Sequence, residues 1–174
     1  MTADQGFDEF ALAAWPRLRR SAYLLTGDHH LAEDLAQTAL ARTYASWRRV
    51  RRADALAYAR KVLVNANVDR LRRRRFSEVG GPGADGLVAA RASAGAGPEV
   101  VGDRDEIVRL LAGLTERERR VVVLRHYFDL SEAQVASELG IAPGTVKSSL
   151  SRALGKLRVA AAVEETDFER QGLR

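Results

Sequence analysis

The sequence predicts an all-α protein made of two small helical domains joined by a flexible linker. Three observations lead there. Apolar residues recur at three- and four-residue spacing through both ends of the chain, which is the period of an amphipathic helix. Signals for β structure are missing: aromatics make up 6% of the 174 residues, and the one Asp-Gly pair, Asp85-Gly86, falls where there is little to bury. Finally, 77–102 changes character, running through GGPGADG, then small residues, then GAGP, a composition that stays open rather than packed. The expected boundaries are a first domain at 5–76, a linker at 77–102, a second domain at 103–160 and an acidic tail at 161–174 that frays or serves as a small docking segment.

In the first domain, Phe7, Phe10, Ala11, Ala14, Trp15, Leu18, Ala22 and Leu25 form one helical stripe, with Pro16 expected to kink or restart the helix. Gly27 closes it and Asp28 is a good N-cap for a second helix, whose Leu31, Leu35, Ala39, Leu40, Tyr44 and Trp47 hold one face. Glu33, Asp34 and Gln37 face elsewhere and make the start of that helix acidic outside. Trp47, on the apolar stripe, reads first as core. A basic turn with Arg48, Arg49, Arg51 and Arg52 follows, and Asp54 caps a third helix with Leu56, Ala59, Val62, Leu63, Ala66 and Leu71 inward. The helix ends in four arginines, Arg72 to Arg75, part of which a helix dipole accounts for. It does not account for the whole cluster, because 48–75 holds eleven Lys/Arg against two acids.

In the second domain Asp103 caps a short helix, and Thr115 with Glu118 makes a capping box opening a helix through Val121, Val122, Leu124, Arg125 and Phe128. The stretch 129–157, DLSEAQVASELGIAPGTVKSSLSRALGKL, reads as a helix-turn-helix. Ser131 with Gln134 forms a second capping box; Val135, Ala136 and Leu139 point inward; Gly140 takes the positive φ that ends a helix; Pro143 suits the first turn of the next. There Val146, Leu150, Ala153, Leu154 and Leu157 make the apolar stripe, leaving Thr145, Lys147, Ser148, Ser149, Ser151 and Arg152 outside. Short polar and basic side chains on such a helix suit a major groove.

With 28 Lys+Arg against 23 Asp+Glu, the net charge of +5 favours a polyanionic partner. The chain has no cysteine, so disulfides and thiolate metal sites are excluded. Its acidic N-terminus lacks an apolar core and no apolar run approaches a membrane span, so a soluble, cytoplasmic protein without membrane insertion is expected. Neither a Walker loop nor a nucleophile elbow is present. His29, His30, Glu33 and Asp34 are poorly spaced for a metal, because adjacent histidines point apart on a helix. No catalytic residue, metal or cofactor is expected, and the chain does not read as an enzyme.

The sequence resembles the extracytoplasmic-function (ECF) group of the sigma-70 superfamily of RNA polymerase sigma factors. PRLRRSAYLLTGDHHLAEDLAQTALARTYASW at 16–47 looks like sigma regions 2.1 to 2.2, and AYARKVLVNANVDRLRRRR at 57–75 like regions 2.3 to 2.4. LTERERRVVVLRHYFDLSEAQVASELGIAPGTVKSSLSRALGKLR at 114–158 looks like region 4. Within the group it is most similar to the short actinobacterial SigE-like type. The resemblance implies core RNA polymerase and promoter DNA, as duplex and as melted single strand, as partners, with an anti-sigma factor as a further candidate. It implies that Glu33, Asp34 and Gln37 face the polymerase. Region 2, through Arg48, Arg49, Arg51, Arg52, Tyr58, Lys61, Asn65, Asp69, Arg72 and Arg73, would open and read the −10 element. Region 4, through Thr145, Lys147, Ser148, Ser149 and Arg152, would read the −35 element. Many relatives carry Arg where this chain has Ser149, which weakens one expected base contact. Arg119, Arg120 and Arg125 read equally well as phosphate contacts or as a solvated face.

Overall fold

A computed structural model describes residues 3–79 and 103–172, with side chains over 6–77 and 106–163. The described residues form seven α-helices: α1 (Ala3–Thr26), α2 (His29–Ala45), α3 (Ala55–Val79), α4 (Asp103–Ala112), α5 (Glu116–Val122), α6 (Glu132–Leu139) and α7 (Pro143–Gly172). They divide into two compact units, α1–α3 and α4–α7. Most of the expected linker, 80–102, lies outside the described residues. Two expectations change. Helix α3 continues to Val79, past the boundary at 76, and α7 runs unbroken to Gly172 instead of fraying near 160.

The first unit is a three-helix bundle with a seam of small residues. Ala14, Leu18, Ala22 and Leu25 of α1 meet Ala32, Leu35, Ala36 and Ala39 of α2 and Ala55, Ala59, Leu63, Val64 and Ala66 of α3, all buried. Alanine at so many facing positions lets the helix backbones approach closely, because interaxial distance is set by the side chains between them. Buried Ser21 and Thr43 satisfy their hydroxyls within their own helices, donating to the Leu18 and Ala39 carbonyls at 2.8 and 2.7 Å. Pro16 does not restart α1. The carbonyl one turn earlier that it leaves without a helical N–H belongs to Leu12, 78% exposed, where solvent has access. Gly27, at φ 69°, turns the chain, and Asp28 Oδ1 accepts the Leu31 N–H at 2.9 Å as the expected N-cap.

The second unit packs α5 and α6 against α7, with α4 alongside. Both capping boxes form. Thr115 Oγ1 accepts the Glu118 N–H while Glu118 Oε2 accepts the Thr115 N–H at 2.9 Å, and Ser131 and Gln134 exchange the same pair of bonds. Gly140, at φ 64°, ends α6, and the Ile141 N–H reaches back to the Ala136 carbonyl, closing the helix-turn-helix corner. The helix begun at Thr115 widens into a π turn over Val123–Tyr127, closed by Phe128 N–H to Val123 O. Regular α geometry cannot turn four successive residues inward, and 121–124 are all buried. The wider turn resolves that conflict and leads into Asp129 at φ 55°, the one non-glycine with positive φ among the described residues. A side chain there is strained. Asp129→Gly is expected to raise the stability of the second unit by about 0.5–1 kcal/mol, read as a higher midpoint in thermal or urea unfolding.

Candidate nucleic-acid interface

The basic turn between α2 and α3 is held from three sides. Ser46 ends α2 and accepts the Tyr58 hydroxyl at 3.0 Å, tying the turn to α3. Trp47 is buried, its ring 5.2 Å from both Phe7 (edge-on) and Phe10, while Phe7 also packs on Tyr44 at 4.8 Å. This is the core role that its place on the apolar stripe predicted. Arg48, Arg49 and Arg51 remain exposed, Arg51 within 4.0 Å of the Asp54 carboxylate. Arg52 is exposed as well, and the far end of its side chain turns toward α1. A Cβ added at Gly6 would lie 2.5 Å from its Nη2 and 2.9 Å from its Cζ, so the guanidinium rests on the backbone of α1. Residues 52–54 form a 3₁₀ turn, and Asp54 sits in it ahead of α3.

Along α3, Lys61, Asn65, Asp69 and Arg72 are exposed at spacings of four, four and three, and Arg73 is exposed beside them. That register keeps them on one face. Tyr58, half-buried, stands one turn before Lys61 with its hydroxyl committed to Ser46. The result is a strip of cation, amide and carboxylate groups running from the basic turn down the outside of α3. Such a surface can neutralise phosphates and hydrogen-bond base edges. On α2, Asp34 and Gln37 are exposed, while Glu33 is half-buried and paired with Arg19 at 3.3 Å. This pair is open to solvent and stabilises little. His29 stacks on Tyr23 at 3.9 Å, and no three His, Asp or Glu side chains come together as metal ligands among the described residues.

In the second unit, Lys147, Ser148 and Arg152 lie exposed on α7 and Thr145 is half-buried. Ser149 does not join them. It is fully buried between Val146 and Ala153, three residues after one and four before the other, and its hydroxyl has no hydrogen-bond partner. The inward stripe is therefore Val146, Ser149 and Ala153, with Leu150, Leu154 and Leu157 only half-buried. Rotation of the helix by one position explains the correction, because a small residue there lets α7 sit close to its neighbours.

Two charged residues of α5 have roles that sequence reading missed. Arg119 points back at α4, donating to the Leu111 carbonyl at 2.9 Å and to those of Ala112 and Leu114. It caps the end of α4; burial pushes its guanidinium down from the ordinary value, with Glu116 acting in the opposite direction. Glu118 is 4% exposed and, besides its capping bond, accepts Lys156 Nζ at 2.8 Å and lies 3.8 Å from Arg152 Nε. It thus joins the start of α5 to α7. Burial pushes its carboxyl up, but the bonds from Lys156 and Thr115 and the Lys156 charge outweigh that and hold it below the ordinary carboxylate value of 4.5.

A depressed folded-state pKa means stability that is present above the unfolded value and lost as pH falls through the folded one. The unit should lose stability progressively below about pH 4.5, and the difference between wild type and Glu118→Gln in unfolding experiments should shrink over that range. Ser149→Ala removes a buried hydroxyl without a partner and is expected to raise stability by about 1 kcal/mol while leaving DNA affinity unchanged in a gel shift.

Comparison with known proteins agrees with this arrangement. The family model described as Sigma-70 region 2 matches residues 13–77, and that described as Sigma-70, region 4 matches 104–157. The RNA polymerase sigma-E factor of Streptomyces coelicolor is 37% identical over 164 residues, covering 92% of this chain and 89% of the relative. The ECF RNA polymerase sigma factor SigL of Mycobacterium tuberculosis is 35% identical, covering 88% and 85%. Among solved structures, the sigma factor RpoE of Bartonella quintana, crystallised with the anti-sigma factor NepR, superposes with a TM-score of 0.73 at 27% identity, over 90% of this chain and 97% of that one. With both regions matched and relatives aligned over nearly their full length, the chain belongs to the ECF group of the sigma-70 family of RNA polymerase sigma factors.

Proposed function

We propose that this sigma factor divides promoter recognition between its two units, with α2 carrying the contact to core RNA polymerase. The observation that carries the reading is the exposed strip on α3, Lys61, Asn65, Asp69 and Arg72, beginning at a turn whose Arg48, Arg49 and Arg51 face solvent. Opening a duplex requires single-strand phosphates to be neutralised and unstacked bases to be held, and this strip supplies both kinds of group. Lys147, Ser148 and Arg152, with Thr145 at the edge, address the −35 element in the major groove. Asp34 and Gln37, with Glu33 beside them, meet basic groups of the polymerase, where opposite charge sets orientation as well as affinity. The protein acts without cofactor or catalysis of its own, in the cytoplasm where the polymerase works. An anti-sigma factor, such as the one bound to the Bartonella quintana protein, is a further partner for this chain.

The decisive experiment is run-off transcription from genomic fragments with core polymerase, with and without the protein. Transcripts with defined starts that appear only in its presence are expected; failure to bind the polymerase at all would refute the reading. Asp34→Arg should reduce polymerase retention about tenfold or more in a pull-down, since a carboxylate facing a cation becomes a like charge, while both units keep their melting behaviour.

A further inference from the structure

We propose that the start of α1 is a positioning element for the basic turn: Gly6 is the seat of the Arg52 guanidinium, and Phe7 and Phe10 pin Trp47, so that the turn is presented to DNA in one conformation. The inference rests on the reading of that turn as DNA-facing. Gly6 is buried, and a Cβ there would lie 2.5 Å from Nη2 and 2.9 Å from Cζ and Nη1 of Arg52, so a side chain at this position requires the guanidinium of the exposed Arg52 to swing away from α1. Glycine in the body of a helix is otherwise unfavourable, which makes its presence at the contact point informative. One residue further on, Phe7 packs edge-on against Trp47 and also touches Tyr44.

The two contacts bracket the turn. Trp47 is buried at its beginning, at its end the guanidinium of the otherwise exposed Arg52 lies against Gly6, and between them are the exposed Arg48, Arg49 and Arg51. A six-residue segment, 47–52, held at both ends has few conformations left. Four arginines crowded into it repel one another, and without an anchor that repulsion would favour splaying. The helix dipole does not explain the seat, because the first turns of a helix carry partial positive charge and disfavour a cation. The exposed carboxylates of Asp8 and Glu9 oppose that field. Arg52 is therefore a positioning residue for its three neighbours.

The test uses the full-length protein with core polymerase on a promoter recovered from run-off transcription, with permanganate reactivity of unpaired thymines reporting opening. Gly6→Ala should unfold at the same or a higher temperature than wild type, because alanine favours helix. It should nonetheless open the promoter about three- to tenfold less well, as the turn spends that smaller share of time in its productive form. Arg52→Ala should show the same deficit, and the double variant no larger one, since both remove the same contact. Limited trypsin digestion of the free protein should cut after Arg48, Arg49 or Arg51 faster in Gly6→Ala than in wild type. Normal opening and unchanged cleavage in Gly6→Ala, with an Arg48→Ala/Arg49→Ala variant impaired, would overturn the seat and leave the DNA-facing turn standing. Normal opening in the arginine variant as well would remove the DNA-facing reading itself, and the trypsin pattern alone would then decide the seat.

Discussion

The indole of Trp47 fixes the geometry of the end of the first unit that carries the basic turn. It is where three parts of the chain meet: the start of α1 through Phe7 and Phe10, the last turn of α2, and the basic turn that follows. A cluster of arginines cannot organise itself, since its members repel one another and are drawn to water. Order has to come from beneath, and a large apolar ring that must be buried provides it. The position of the arginines is in this sense a by-product of hydrophobic burial one residue earlier in the chain.

The second unit reaches the same end by polar means. Glu118 is buried, yet both of its oxygens are used: one completes the cap of α5 and binds Lys156, and the other lies near Arg152. A buried carboxylate is costly unless it is paired and hydrogen-bonded, and here the partners come from α7. The bond that starts α5 therefore also sets where α7 lies against it. Arg119, next in sequence, ties α5 to α4 through three backbone carbonyls. Two adjacent charged residues of one short helix thus connect it to both flanking helices.

These roles mark the limit of what the sequence made legible. Helix order, both capping boxes, the Gly140 corner and the polar strip on α3 follow from local pattern, because each depends on residues three or four apart. The ECF resemblance rested on the same contiguous stretches. Glu118 pairs with a lysine 38 residues away, and Arg52 rests on a glycine in another helix; no periodicity encodes either. Ser149 failed for a subtler reason. A serine between leucine and serines on an amphipathic helix reads as polar and therefore outside, and only the close approach of the neighbouring helices shows that size, not polarity, placed it. The π turn was hidden for another reason: a run of apolar residues marks a buried helix but does not show which backbone hydrogen-bond pattern closes it.

The alanine seam of the first unit has a consequence for how such proteins diversify. Enlarging a residue in a tightly closed interface forces helices apart and costs about 1–3 kcal/mol, whereas exposed positions usually change within about 0.5 kcal/mol. Inheritance of shape and freedom to vary the exposed surface are then carried by different residues. Ala22, Ala36, Ala39 and Ala59, fully buried, hold the spacing of the helices, while Lys61, Asn65 and Asp69 on the outside can be exchanged with little effect on it. A duplicated copy of this gene can drift in the sequences it addresses while its scaffold stays fixed, and two copies within one cell can diverge in their targets without first passing through an unfolded intermediate.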